Sequence, residues 1–410
     1  MTQQPSLLVI GSGEAGFREY ALRAMAAKAG ITLASKNPAT WETAYCQTCL
    51  VVDLDDRAAA IERLRTVSVD AILTYDERYV ELTAELAELL RLPGPSVAAV
   101  RTVKDKSMLR ALLQRESLAP VRFGVAATPT EARHITAQIG LPVVFKPRAL
   151  GGSSGVKVVR DVTEIEDAFA EAAGARVGTV RSRYDGVLIE EYLDGPEYSV
   201  DCVTYRGHTQ PLVVAEKHTG LDPYFEEIGH IVPPALERAL PDEALALVRQ
   251  AHAAAGLDTV VSHTELKLTS RGPRIIELNA RLGGDLIPYL GLLAHGIDLA
   301  AAAADLALGR QPSVAAVKDR VAAVRFLYPS HDLRLHSITL PDQQQHPGLD
   351  RFVPLCFPDE ELLLPPRGFM SRMAAAIVTG ATQQACLSAL DTIERSALVD
   401  ATPLTVAVPS

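Results

Sequence analysis

The chain has 410 residues, 48% hydrophobic and 22% charged, with a formal net charge of -10. That length calls for two to four lobes, and the composition is that of an ordinary soluble globular protein. The excess of acid argues against a nucleic-acid partner, because neutralising phosphates takes a surplus of Lys and Arg.

The opening MTQQPSLLVIGSG lacks the basic start and long apolar core of a signal peptide. No uncharged apolar run reaches the length of a membrane span; the Ala-rich stretch 299–308 is interrupted by Asp305. Five cysteines, an odd and sparse set, fit a reducing cytoplasm. The expectation is a cytoplasmic protein without a membrane partner.

LLVIG (7–11) predicts a strand, 14–30 a helix ended by Gly30, and ITLAS (31–35) a second strand. VVDLD (51–55), AAIERLRT (59–66) and DAILTY (70–75) continue the alternation, and 80–92 predicts a further helix. Strands alternating with helices are the signature of a parallel, doubly wound α/β lobe. LPGPS (92–96) ends it, and VAAVRTVKDKSMLRALLQRES (97–117) predicts a basic helical segment. Strands are then expected at 141–147, 156–159 and 187–193, with a helix over about 163–173. YSVDCVTY and TQPLVVAEK predict a hairpin, 242–256 a helix, HTELKL and PRIIELNA a strand pair, and 288–308 a helix. The last ninety or so residues, with strands at 321–328, 373–379 and 404–408, look like a separate lid-like lobe.

GSGEAG (11–16) matches GxGxxG, but the next strand ends without the acidic residue that would hold a ribose, so a tight turn is the better reading than a dinucleotide site. Cys46 and Cys49 form a lone CxxC; a zinc site would want a second pair, and Cys202, Cys356 and Cys386 stand singly. Lys146 closes a strand before a loop holding Gly151, Gly152, Ser153, Ser154 and Gly155. Glycines let backbone N–H groups approach phosphate oxygens, and a lysine supplies charge. Further on, backbone groups at Glu190, Glu191, Tyr192 and Leu193 could read an adenine edge, with Glu197 accepting from ribose hydroxyls; surface charge is the ordinary alternative.

RIIELNAR decides between these readings. Alternate residues of a strand share a face, so Glu277, Asn279 and Arg281 form a row, and Glu265 on the paired strand adds a second carboxylate. Such hard oxygen donors suit Mg²⁺, and an arginine beside them suits phosphoryl transfer.

Lys106 in KDKS, Lys146 in VFKP, the GGSSG loop, IEEYLDGPE, HTELK and IIELNAR, in this order, resemble the ATP-grasp superfamily. The resemblance implies an α/β chain with an N-terminal doubly wound pre-ATP-grasp lobe (1–95), a linker helix and small lobe (96–185), a large lobe (186–312) and a C-terminal α+β extension (313–410). It implies ATP as nucleotide, held by Lys106, Lys146, the glycine loop and Glu197. Mg²⁺, with Mn²⁺ able to substitute, would be held by Glu265, Glu277 and Asn279. EKHTGLDPYFEEIGHIVPPAL (216–236) and NARLGGDLIPYL (279–290) are similar to bacterial L-amino-acid ligases. That narrower likeness implies amino-acid binding by Glu227 and His230, in a segment read as a loop, and by Arg281, Gly283 and Gly284. Arg281 and His230 are then the catalytic residues expected, two amino acids the small-molecule partners, and a homodimer the assembly common among relatives. Two rivals are an ATP-grasp ligase with another substrate pair, such as γ-glutamyl ligation, and a catalytically silent nucleotide-binding protein.

Overall fold

The computed structural model describes residues 4–177, 180–182 and 184–404. The chain divides into two compact units, each built from three separate stretches.

The first unit comprises Met1–Pro120, Asp194–Ala215 and Glu237–Asp319. It opens with a four-stranded sheet in the order Cys46–Val51, Gly30–Ser35, Ser6–Ile10, Ala71–Leu73, with every pair parallel. Leu8, Ile10, Leu54, Ile72, Leu82 and Leu86 form its core, as near-continuous apolar strands covered by helices require. The third strand lies earlier than VVDLD suggests. Asp53–Asp56 turn instead toward the helix Arg57–Leu64, and Asp56 caps it by accepting from the Ala59 N–H. The predicted CxxC sits on that edge strand, and burial pushes the Cys46 thiol up to about 12.

The basic segment 97–117 is two helices, Val97–Lys104 and Lys106–Arg115. Asp105 separates them: its backbone is extended, and its buried carboxylate accepts from the Ser107 N–H at 3.0 Å and hydroxyl at 2.8 Å. A second unexpected break splits 288–308 into Ile287–His295 and Leu299–Ala307, bent by 108° around Gly296, which takes a φ of 73. Among the described residues no single helix is long and apolar enough to cross a membrane.

The first unit also holds the strands Glu197–Tyr205, Val260–Thr269 and Gly272–Asn279, antiparallel neighbours in that order, Val260–Thr269 central. The helix Asp242–Ala255 packs beneath them through Leu247 and Ala251, which meet Leu109, Leu112, Ile275 and Leu278. On this helix His252 is fully buried, its ring nitrogens 2.7 Å from the Val248 carbonyl and 2.6 Å from the Ser262 hydroxyl. Burial lowers its pKa from 6.5 to about 4. The unfolded chain therefore binds a proton near 6.5 that the folded chain refuses until about 4. Stability is full above 6.5, falls between 6.5 and about 4, and levels below. Urea midpoints at pH 7, 5 and 4 should drop more steeply in the wild type than in His252→Gln; parallel profiles would refute this.

The second unit comprises Val121–Leu193, Glu216–Leu236 and Arg320–Ser410. One antiparallel sheet runs in the order Phe123–Ala126, Val187–Glu191, Val143–Pro147, Lys157–Val159. Helices Pro129–Ile139 and Ile165–Gly174 cover it through Ala132, Ile139, Ile165 and Ala168 against Phe145, Val187 and Ile189.

Two expectations change in this unit. Residues 226–232 are a strand, not a loop: Glu226–Val232 is paired on one side with residues 216–220 and on the other with Val321–Leu327. Pairing on both sides, continuous from Gly229 to Ile231, is a stronger constraint than the acidic start of the segment. For the same reason residues 320–410 are not a separate lobe. Val321–Leu327 extends this sheet to Ala374–Gly380 and Leu349–Pro354, and helix Gln383–Ser396 packs on it through Leu390 and Ile393. The last described strand is Leu398–Pro403, and residues 405–408 of the predicted final strand lie outside the described residues.

Candidate active site

The residues predicted for a nucleotide and metal site fall into both units, and each set has its own geometry.

In the first unit three strands each present an i, i+2 pair. Register places Ser199 opposite Glu265 and Glu265 opposite Glu277; one rung away, Asp201 faces His263 and His263 faces Asn279. Directly opposed residues of antiparallel strands point to the same side, so these six polar side chains share one face of the sheet. Asn279, Asp201, Ser199 and His263 are all buried. Two carboxylates directly across from one another repel, and each has a compensating neighbour. Lys106 Nζ lies 2.9 Å from Glu277, and His263 Nε2 lies 3.3 Å from Glu265. Burial alone would lower the His263 pKa, but Asp201, 2.5 Å from Nδ1, and Glu265 raise it to about 9.

Lys106 reaches this face because the break at Asp105 makes it the first residue of its helix. One turn further along that helix, Arg110, 2% exposed, donates to the carbonyls of Ile275 at 2.6 Å and Ile276 at 3.0 Å. The helix is thereby pinned to the strand that carries Glu277.

Arg281 lies beyond the strand, which ends at Asn279, so the predicted row of three is a row of two followed by a turn. Its Nε donates to Glu77 at 2.6 Å and its Nη1 to the Leu282 carbonyl at 2.7 Å. Burial would raise Glu77, but Arg281, then Lys104, then Lys106 outweigh it and hold the carboxyl below its usual range. Gly283 follows, and a side chain there would not fit: a Cβ would stand 2.9 Å from His263 Nδ1 and 3.1 Å from an Asp201 oxygen. The Gly283 carbonyl accepts from Arg18 at 3.1 Å, whereas a Cβ at Gly284 would meet open space. Asp285 and Leu286 then take left-handed backbone conformations, with φ of 49 and 64, a strained turn beside the site. Glu197, predicted for a ribose, begins its strand opposite Lys267, at 4.0 Å.

In the second unit Lys146 and Glu190 are diagonal neighbours on adjacent strands and form a buried ion pair at 2.5 Å. The Glu191 carboxylate accepts from Arg122, and the N–H groups of Glu191 and Tyr192 donate to the carbonyls of Arg122 and Pro142. Those two amides are therefore committed within the protein; Leu193 is the buried residue that follows. In the glycine loop, Gly152 and Gly155 have φ of 64 and 71, and a Cβ would come within 2.3 Å of Met370 Sδ and 2.4 Å of the Ala175 Cβ. Glycine is required there by the loop itself, whereas Gly151 faces open space. Ser153 and Ser154 donate their hydroxyls to the carbonyls of Phe225 and Arg176.

Glu227 stands between Lys217 Nζ at 2.9 Å and His230 Nε2 at 3.2 Å. His230 is fully buried. The neighbouring Glu226 accepts from the Tyr328 hydroxyl at 2.6 Å, and Arg372 donates to Tyr328 at 3.0 Å and to the Glu227 carbonyl at 3.1 Å. Burial raises the Glu226 carboxyl above its usual range.

Sequence reasoning missed Ser199, Asp201, His263, Glu77, Tyr328 and Arg372. A signal existed for the first three: SVD and HTE are polar i, i+2 pairs on apolar strands, the same pattern as ELN. Nothing local marks the other three, whose partners Arg281, Glu227 and Tyr328 lie 44 to 204 residues away.

Residues 139–289 match the ATP-grasp domain family, and residues 24–94 match the ATP-grasp N-terminal domain family. The chain belongs to the ATP-grasp superfamily. Among its relatives, human carnosine synthase 1 is 28% identical over 342 residues, covering 75% of this chain and 40% of that protein. Alanine–anticapsin ligase of Bacillus subtilis is 26% identical over 309 residues, covering 67% of this chain and 65% of the relative. The chain spans about half the length of the curated relatives it matches. The fold is that of a solved L-amino acid ligase from Bacillus licheniformis, with a TM-score of 0.80 at 20% identity over 98% of this chain and 99% of that one.

Proposed function

We propose that the protein is an ATP-dependent carboxylate–amine ligase that joins two amino acids. The observation that carries the reading is the face bearing Glu265, Glu277 and Asn279, with Lys106 on Glu277 and Arg281 just beyond. It lies within a segment matching the ATP-grasp domain family, and a relative named alanine–anticapsin ligase supports the substrate class.

The donor set fits Mg²⁺: two carboxylates in register and a buried amide are hard oxygen ligands, too few to complete a cage and so suited to an ion shared with phosphates. A bound Mg²⁺ would supply neutralisation of phosphate charge at Glu265, Glu277 and Asn279. The chain's own residues do the rest. Phosphate oxygens would compete with Glu277 for Lys106 and with Glu190 for Lys146, each lysine donating to the phosphate chain. A carboxylate oxygen of the first amino acid attacks the γ-phosphorus, and ADP leaves. Arg281, held by Glu77 and the Leu282 carbonyl, keeps its guanidinium aimed at the charge that grows on the phosphoryl and acyl oxygens. The amine of the second amino acid then attacks the acyl carbon, phosphate leaves, and the ammonium proton is lost to solvent or base. Glu227, between Lys217 and His230, offers a carboxylate to an α-ammonium. The committed hydroxyls of Ser153 and Ser154 leave backbone amides as the phosphate contacts of the glycine loop, whose cover keeps water from the acyl phosphate.

Phosphate release from MgATP, assayed against a matrix of paired L-amino acids with product masses, tests this reading. The expected result is release that depends on both partners, with a product equal to their summed mass less water. ATP hydrolysis indifferent to every amino acid would refute it.

A further inference from the structure

The rung Asp201–His263–Asn279 lies beside the rung that carries both carboxylates, and its middle residue reaches across to one of them. Asp201 is fully buried in the strand Glu197–Tyr205. One of its oxygens meets His263 Nδ1 at 2.5 Å, and the other has no partner among the described residues. An acid placed so deep is costly unless something nearby uses it. His263 uses it: with Nδ1 tied to Asp201, the ring can present only Nε2 to the site, and Nε2 stands 3.3 Å from Glu265 Oε1. Gly283 closes over the pair from above, because any Cβ there would press on Nδ1 and on both Asp201 oxygens. Ring rotation is thus blocked on one side by a backbone and on the other by a carboxylate.

We infer that Asp201 and His263 are positioning residues that fix the rotamer of Glu265, so that one carboxylate oxygen is held by Nε2 and the other is turned toward the metal. The inference rests on the proposed metal role of Glu265. Partners behind a ligating carboxylate typically change metal affinity by about 10–100-fold when removed. Neither residue touches substrate, so neither is catalytic. The pair also accounts for the glycine at 283 without any substrate contact.

The test uses the full chain, Mn²⁺ as the probe, and ADP as the nucleotide, with free and bound Mn²⁺ separated by electron paramagnetic resonance. The variants are H263Q, D201N and, as reference, E265Q. H263Q and D201N should weaken Mn²⁺ binding by about 10–100-fold, less than or equal to E265Q, while metal-free ADP binding stays within about twofold. A merely structural defect would reduce the fraction of binding-competent protein without moving the Mn²⁺ midpoint. Folded H263Q with wild-type Mn²⁺ affinity, beside a weakened E265Q, overturns the inference and spares the metal reading. An unchanged E265Q overturns both. Should H263Q fail to fold, D201N carries the test, since it keeps the shape and removes only the charge.

Discussion

Arg281→Ala should lower turnover by roughly two to three orders of magnitude, the cost of losing one donor aimed at developing negative charge. The guanidinium is anchored at two points, Glu77 and the Leu282 carbonyl, which leaves its remaining donors with a fixed direction. The nucleotide should still bind, because Lys106 keeps its place through Asp105 and Glu277. Glu77 retains Lys104 at 3.7 Å, so the substitution does not strand a buried acid, and the fold should hold. Arg281→Lys should rescue little, since an ammonium cannot hold a planar fork between Glu77 and a carbonyl and still present an aimed donor. The measurement is product formation at saturating ATP and amino acids, with ADP affinity as the control. Near-wild-type turnover in Arg281→Ala would sink the assigned role.

The Lys146–Glu190 pair predicts a different kind of loss. Both side chains are almost wholly buried, and breaking such a pair by removing one partner costs about 3–5 kcal/mol. Lys146→Ala should therefore lower the urea midpoint sharply and abolish ATP-dependent phosphate release at once. A paired replacement, Lys146→Met with Glu190→Leu, separates the two effects, because apolar groups of similar volume often substitute for a buried ion pair without loss. Stability should return in the double variant and phosphate release should not. Recovery of both would mean that the lysine serves the sheet alone.

The strand-and-turn residues of the site were readable because a strand's period is short. Glu277 and Asn279 sit two apart, Glu265 lies in the middle of the partner strand, and the register places the acids opposite one another. The parallel N-terminal sheet was legible for a similar reason, in its apolar runs between helices. The errors cluster where one polar side chain decides a local question. Asp105 breaks a helix that its neighbours favour, and Asp56 claims the end of a predicted strand for a helix cap. Residues 226–232 read as a loop because Glu226, Glu227 and Gly229 are poor strand formers; pairing on both sides overrides that preference. Glu77 and Arg281, 204 residues apart, are joined by tertiary packing that no window of sequence contains.

The interleaving of the two units has a consequence for how this protein can be cut, inherited or repaired. The polypeptide passes from one to the other after residues 120, 193, 215, 236 and 319, and the strand His208–Gly220 is itself shared. No contiguous stretch of the gene encodes a whole unit; even the segment matching the ATP-grasp family, 139–289, takes part of each. A nonsense codon anywhere between residues 120 and 320 thus removes pieces of both units together, and a recombination breakpoint or protease nick there divides stretches that belong to both. Exchange with a relative has to occur at the level of single strands and loops, or of the entire chain.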